Sequence, residues 1–248
     1  MLPEPYYRSP DGRHTIYHAD CRDVLTGLLP GSVDAVVTDP PYGIDFSEAT
    51  WDEPEAEHPE FIRGLVADLQ GPVENGYVFL FQSVRYLSRF HEWFPEGWRI
   101  LASCRGFSRM CRNDLWYAWD PVVFYHRGDK NRMMDGFGKD LLPRDFFVSN
   151  VSEPRETKNV HPCQKPVGLL RYLVQVSSPF GGLVLDPFLG SGTTSVACVQ
   201  TGRRSIGIEQ NERYCQIAVA RMERTLAQPV LFLPERITDA QESLELTG

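Results

Sequence analysis

With 248 residues, 42% of them hydrophobic, the chain is long enough to enclose one α/β domain and a small insertion. A formal charge of −8 argues against a general polyanion binder, which needs clustered Lys and Arg, so any such partner must be met by a local basic region. The six cysteines are scattered, without a C-x-x-C pair or the spacing of a zinc site, and imply a reduced, metal-free cytosolic protein.

No signal-peptide pattern precedes the first element, and no later run approaches the length of a bilayer span. His14-Thr15-Ile16-Tyr17-His18 alternates polar and apolar as a strand does, ending at Ala19-Asp20-Cys21, and a helical stretch from Asp23 to Leu29 stops at Pro30-Gly31. Asp20 therefore sits at a strand exit, where an Asp commonly caps the next helix. The apolar run Val33 to Val37 then leads into Thr38-Asp39-Pro40-Pro41-Tyr42. Two adjacent prolines have no backbone N–H and a fixed φ, so this turn keeps one shape while its carbonyls remain acceptors. A carboxylate and a carbonyl together can grip an amino group. The Tyr42 ring offers a flat face for a planar ring, and stacking of a base on an aromatic is worth about 1–3 kcal/mol. The plainer reading of the same residues is an ordinary strand-to-loop turn.

The acidic, Trp51-containing segment up to Glu60 reads as a loop. Helical spacing at Phe61, Ile62, Leu65, Val66 and Leu69 is stopped by Gly71-Pro72, and Tyr77 to Phe81 is a buried strand whose aromatics belong to the core. Val84 to Phe94 has the pattern of an amphipathic helix, and Trp98 to Ser103 and Val122 to His126 predict two further strands. Between them Arg105, Arg109 and Arg112 are interleaved with Phe107, Trp116, Tyr117 and Trp119. That mixture suits a phosphate backbone and stacked bases, or else surface arginines beside a half-buried Trp. From Arg127 to Val160 the chain turns glycine-rich with weak periodicity, and it carries Lys130, Arg132, Lys139 and Arg144.

Pro166 suits a first helical position, followed by a buried stripe at Val167, Leu169, Leu170, Leu173, Val174 and Val176, and it leaves Lys165 at the helix start. Leu183 to Thr194 then reads as a strand, the Gly-rich turn Asp186-Pro187-Phe188-Leu189-Gly190-Ser191-Gly192 and a helix start. No lysine follows Gly192, which rules out a Walker A phosphate loop. One short strand later Glu209 ends Ser205-Ile206-Gly207-Ile208, where a carboxylate can bind the paired hydroxyls of a ribose, so an adenosine-bearing cofactor is expected. Asn211 caps a last helix through Tyr214, Ile217, Ala218 and Met222.

Taken together these motifs resemble the amino-directed DNA methyltransferases, which use S-adenosylmethionine and modify N6 of adenine or N4 of cytosine. The Asp-Pro-Pro-Tyr turn precedes the Asp-Pro-Phe-x-Gly-x-Gly turn, the permuted order of that family's β group. His161-Pro162-Cys163-Gln164-Lys165-Pro166 is similar to the family motif upstream of the cofactor turn. The resemblance covers Asp20 to Tyr42 and His161 to Arg221 and leaves the middle of the chain poorly matched. It implies a Rossmann-like mixed α/β sheet with circularly permuted motif order, a single domain over 1–248 and a short target-recognition insertion at 127–160.

The resemblance also implies roles for individual residues. Asp39, Pro40, Pro41 and Tyr42 would be catalytic. Asp20, Cys21, Lys165, Pro166, Asp186, Pro187, Phe188, Gly190, Ser191, Gly192, Thr193, Thr194, Glu209 and Gln210 would bind S-adenosylmethionine, with Asp20 on the adenine amino group and Lys165 near the methionine portion. Double-stranded DNA is the implied partner, met by Arg105, Arg109, Arg112, Lys130, Arg132, Lys139 and Arg144, with no metal and no membrane, in the cytoplasm of a bacterium or archaeon or encoded by a phage. Dimers are common in the group. Asp before Pro-Pro-Tyr is associated there mainly with adenine. The same chemistry on RNA or a protein amide, and an idle nucleic-acid-binding assembly subunit, are the competing expectations.

Overall fold

The computed structural model describes residues 2–43, 57–109, 117–128, 144–149 and 164–228. Among them nine strands form one sheet, flanked by six α-helices. In chain order the elements are β1 (Tyr7–Arg8), β2 (His14–His18), α1 (Cys21–Leu25), β3 (Ala35–Thr38), α2 (His58–Asp68) and β4 (Gly76–Phe81). A 3₁₀ turn (Val84–Arg89) leads to α3 (Phe90–Trp93), β5 (Arg99–Arg109), β6 (Tyr117–Arg127) and β7 (Phe146–Ser149). The chain continues with α4 (Val167–Ser177), β8 (Leu183–Asp186), α5 (Thr193–Thr201), β9 (Arg204–Glu209) and α6 (Glu212–Leu226).

The strands lie in the order β1-β2-β9-β8-β3-β4-β6-β5-β7. From β2 to β4 every neighbouring pair is parallel, while β6 runs antiparallel to both β4 and β5. The sheet is thus mixed, as expected. Its middle is made of β3, β4 and β8, and every residue of β3 and β4 is buried. Such strands read as unbroken apolar runs because helices cover both faces. Val36, Val78 and Leu185 face a core shared with α1, α2 and α3. Ala35, Val37, Phe79 and Val184 face the opposite core, against α4 and α5. A third cluster, of Ile16, Leu189, Cys215, Ala218 and Met222, seats α6.

Caps set the helix starts. Asp20 Oδ1 accepts from the Arg22 backbone N–H at 2.9 Å and Asn211 Oδ1 from that of Arg213 at 3.0 Å, so the capping roles expected of both are realised. Pro166, expected at the first helical position, is instead the extended cap of α4, so the helix starts one residue later, at Val167. The helix expected over Val84 to Phe94 is mostly 3₁₀, with only Phe90–Trp93 α-helical. Strands β5 and β6 run well past their expected ends and take in Gly106, Phe107, Tyr117 and Trp119, with a register shift between Cys104 and Arg109. Within the expected recognition segment, Phe146–Ser149 returns to the main sheet as an edge strand parallel to β5. No helix among the described residues is long and apolar enough to cross a membrane.

Candidate active site

Parallel strands carry all their C-terminal ends to one edge of the sheet, and loops there are the usual seat of a ligand in such folds. Across that edge the exits follow one another in the order β2, β9, β8, β3, β4. They set in a row Asp20 just past β2, Glu209 at the end of β9, Asp186 at the end of β8, Asp39 just past β3 and Phe81 at the end of β4. The two motifs, far apart along the chain, therefore converge.

A hydrogen bond ties them together. Thr38 Oγ1 donates to Asp186 Oδ1 at 2.7 Å, and the Phe188 backbone N–H reaches the same oxygen at 3.1 Å. Asp186 is buried, and burial raises its carboxyl to about 6 against the opposing bonds from Thr194, Thr38 and Phe188. Its carboxylate braces the glycine turn from beneath. Pro187, Ser191, Thr193 and Thr194 are also buried, whereas Phe188 is half-exposed and packs edge-on against Phe61, with ring centroids 5.7 Å apart. Gly192 opens α5 with φ of 83°, and a Cβ there would come within 2.7 Å of the Ala218 Cβ on α6. Only glycine lets α6 pack this closely behind the turn.

Glu209 joins the turn to the neighbouring strand. Its Oε2 accepts from the Gly190 N–H at 2.9 Å and its Oε1 from the Asn211 N–H at 2.7 Å, while burial raises its carboxyl above the usual range. The register His18↔Glu209 brings the β2 exit alongside. There Asp20 is held in an ion pair by Arg22, Oδ2 to Nη2 at 2.6 Å, and this hydrogen-bonded partner keeps its carboxyl below the ordinary value. Cys21 packs into the core, where burial pushes its thiol up to about 12, and Gln210 is exposed with its carbonyl 2.9 Å from His18 Nε2.

The Asp39 carboxylate meets two side chains. Tyr42 donates its hydroxyl to Oδ1 at 2.6 Å, and Lys165 donates Nζ–H to Oδ2 at 2.6 Å. Lys165 also reaches the Tyr42 hydroxyl at 2.9 Å, closing a triangle. Its Nζ lies 4.8 Å from the Phe81 ring centroid and 5.2 Å from that of Tyr42. Lys165, expected beside a cofactor, is thus in direct contact with the two proposed catalytic side chains. Pro40 is buried beneath the turn, Pro41 half-exposed, and Tyr86 donates its hydroxyl to the Gly43 carbonyl at 3.0 Å, fastening the turn's exit.

This geometry can be set against known proteins. The family model for DNA methylases matches residues 33–220, which spans both turns and every strand between them. The chain belongs to the N6/N4 DNA methylase family. It is 30% identical to the type II methyltransferase M.ScaI of Streptomyces caespitosus over 90% of this chain and 84% of that one. With M2.DpnII of Streptococcus pneumoniae it shares 29% identity over 90% and 94%. The crystal structure of the M1.HpyAVI–SAM complex superposes with a TM-score of 0.64 at 26% identity, covering 84% of this chain and 98% of that one. The PvuII cytosine-N4-specific DNA methyltransferase shares the fold with a TM-score of 0.71, at 15% identity over 96% and 92%.

In this methylase one further residue supports the glycine turn. Arg221 of α6 is buried and donates Nη1 to the Ser191 carbonyl at 2.6 Å, and the same nitrogen lies 3.1 Å from both Ser191 Oγ and Thr193 Oγ1. In the sequence it marks only the end of the stretch covered by the family resemblance, with no role assigned to it. A buried arginine on an otherwise apolar helix face was the available signal.

The methylase's basic candidates divide by position. Arg105 and Arg109 lie on β5, and Arg112, Lys130, Arg132 and Lys139 fall outside the described residues, as do His161, Pro162 and Cys163. Arg144 is exposed, with its backbone N–H and carbonyl both held by the Tyr172 hydroxyl and its guanidinium 5.8 Å from the Phe146 ring. Because Phe81 pairs with Val122 and Val122 with Leu101, the remainder of β5 and the start of β6 project beyond β4. They do so on the edge that carries Asp39, over a distance on the order of 20 Å. Among the described residues, no group of three or more His, Cys, Asp or Glu is placed to hold a metal.

Proposed function

We propose that this methylase transfers a methyl group from S-adenosylmethionine to N6 of adenine within a specific sequence of double-stranded DNA, in the cytoplasm of its host. The observation that carries the reading is the joined pair of strand ends, Asp39 on one and the glycine turn on the other, coupled through Thr38 and Asp186.

The donor set suits the cofactor. Asp20 and Glu209 offer two carboxylates at the ends of adjacent strands for an amino group and ribose hydroxyls, and Gly190 and Gly192 themselves put no side chain over the turn's backbone. Phe188 adds a half-exposed ring. The three strand steps from β2 to β3 span roughly 15 Å, so a ligand laid along this edge from Asp20 ends near Asp39. When bound, S-adenosylmethionine supplies an electrophilic methyl carbon activated by its sulfonium.

An exocyclic amine conjugated to a ring is a poor nucleophile. Asp39 and the Pro40 carbonyl accept its two N–H bonds, which draws the lone pair out of the ring and aims it at the methyl carbon, while the Tyr42 ring holds the base. The leaving group would be the neutral thioether, and one N–H proton would pass to solvent by way of Asp39. Holding two reactants in line can remove about 7–11 kcal/mol from a bimolecular barrier. Such a grip requires the target nucleotide to be flipped out of the duplex. We assign the grip on flanking DNA to the projecting β5–β6 ribbon, whose strand β5 carries Arg105 and Arg109, and to the basic residues that follow it in sequence, and a homodimer accords with the shortness of that segment.

Adenine is preferred over cytosine because Asp precedes Pro-Pro-Tyr. Mass spectrometry of nucleosides from unmodified genomic DNA treated with methyl-labelled cofactor tests this, with N6-methyldeoxyadenosine the expected product. Label in N4-methyldeoxycytidine instead would overturn the choice of base, and label in neither would overturn the reaction.

A further inference from the structure

We propose that the Lys165 ammonium is a resident stand-in for the target amino group, occupying the slot between Asp39 and the Tyr42 and Phe81 rings until a flipped base displaces it. The inference rests on the reading of this site as an amine-methylating one.

Three observations converge on it. Lys165 Nζ donates to Asp39 Oδ2 at 2.6 Å, in the same donor sense that an exocyclic amine would use toward that carboxylate. The nitrogen also sits against two aromatic faces, 4.8 Å and 5.2 Å from their centroids, where a planar base would stack. It comes from a flexible four-carbon stem just ahead of the Pro166 cap, so it can swing aside while the start of α4 stays in place.

The arrangement has a consequence for selection. Displacing the ammonium breaks its bonds to Asp39 and to the Tyr42 hydroxyl, and only an incoming N–H donor restores what Asp39 loses. A ring without an exocyclic amine therefore leaves the lysine in place, since a polar site built for a donor rejects an analogue lacking it. The occupied state also reduces apparent affinity for the base in proportion to its population.

Two experiments on the full chain test this. Enzyme labelled with ¹³C at lysine Cε is titrated by NMR with 9-methyladenine and with 9-methylpurine, the same ring without the amine, the Lys165 signal being assigned by its loss in Lys165→Met. Movement toward the position of exposed lysines with 9-methyladenine alone is expected. Movement with both, or with neither up to the solubility limit, overturns the proposal. In the second experiment, methyl transfer to unmodified genomic DNA is measured for wild type, Lys165→Met and Lys165→Arg. Removing the ammonium lowers the KM for DNA about tenfold, as expected if it occupies the slot roughly nine-tenths of the time. Lys165→Arg, which keeps a cationic donor, does not. A KM that is unchanged or higher in Lys165→Met, with only kcat reduced, marks the lysine as a support for Asp39 and overturns the stand-in role. A wild type that transfers no label to DNA fails the underlying reading, whereas transfer with an unmoved lysine signal fails the stand-in alone.

Discussion

Thr38 and Asp186 stand 148 residues apart in sequence and 2.7 Å apart in space, and their hydrogen bond joins the strand that ends in Asp39 to the strand that opens the glycine turn. Both side chains are buried, so the bond is shielded from bulk solvent. Thr38→Val keeps the β-branched shape that a strand favours and removes only the donor. Leaving a buried carboxylate one donor short is expected to cost about 1–3 kcal/mol, read as a lowered urea midpoint, while Thr38→Ser stays close to wild type.

The same carboxylate makes stability depend on pH. Burial raises Asp186 to about 6 from an unfolded value near 4, so between these limits the folded chain holds the proton more tightly than the unfolded one. Its contribution is therefore complete below about pH 4 and is lost as pH rises through about 6. Asp186→Asn cannot titrate. Urea unfolding of both proteins from pH 4 to pH 7 is expected to show wild type losing on the order of 2–3 kcal/mol relative to the variant across that window.

Gly192→Ala brings two costs together. The residue has φ of 83°, and the added Cβ falls 2.7 Å from the Ala218 Cβ and 2.8 Å from its Cα, so α6 must move. Strain and overpacking together are expected to cost about 2–4 kcal/mol. For a chain of this size that lowers Tm by roughly 5–15 °C, measurable by thermal circular dichroism.

Glu209 is expected to govern cofactor affinity. Glu209→Gln can no longer accept from both the Gly190 and Asn211 N–H groups, and the loss of a charged acceptor predicts about 10–100-fold weaker binding of S-adenosylhomocysteine by calorimetry. Since burial raises the Glu209 carboxyl, acidification protonates it sooner than an ordinary glutamate. As pH is lowered, wild-type affinity should then fall toward that of the variant, whose own affinity stays flat, and should do so at a higher pH than an ordinary glutamate would require.

Much of this arrangement is legible in the sequence because parallel strands covered on both faces must be apolar throughout. Val33 to Val37 and Leu183 to Leu185 announce themselves, and the polar residues that interrupt them, Thr38, Asp39 and Asp186, stand out as strand ends. Pairing across the sheet is another matter. That Lys165 reaches Asp39, 126 residues away, depends on the loop and helix that carry it and leaves no local pattern. The four residues Phe146–Ser149 are too few to show a period, and they become a strand only because β5 offers them an edge. Val84 to Phe94 carries helical spacing, yet only its last part is α-helical, and Tyr86 within it turns its hydroxyl to the Gly43 carbonyl. Tertiary packing outweighs a weak local preference there.

The central claim is that Asp39 acts on the substrate amine and not on the cofactor. Single-turnover methyl transfer and cofactor calorimetry on one preparation of Asp39→Ala separate the two roles. Transfer should fall by about a thousandfold or more, the scale of losing a pre-organised group at the reacting atom, while cofactor affinity stays within a few-fold of wild type. Transfer at the wild-type rate in Asp39→Ala would contradict the account.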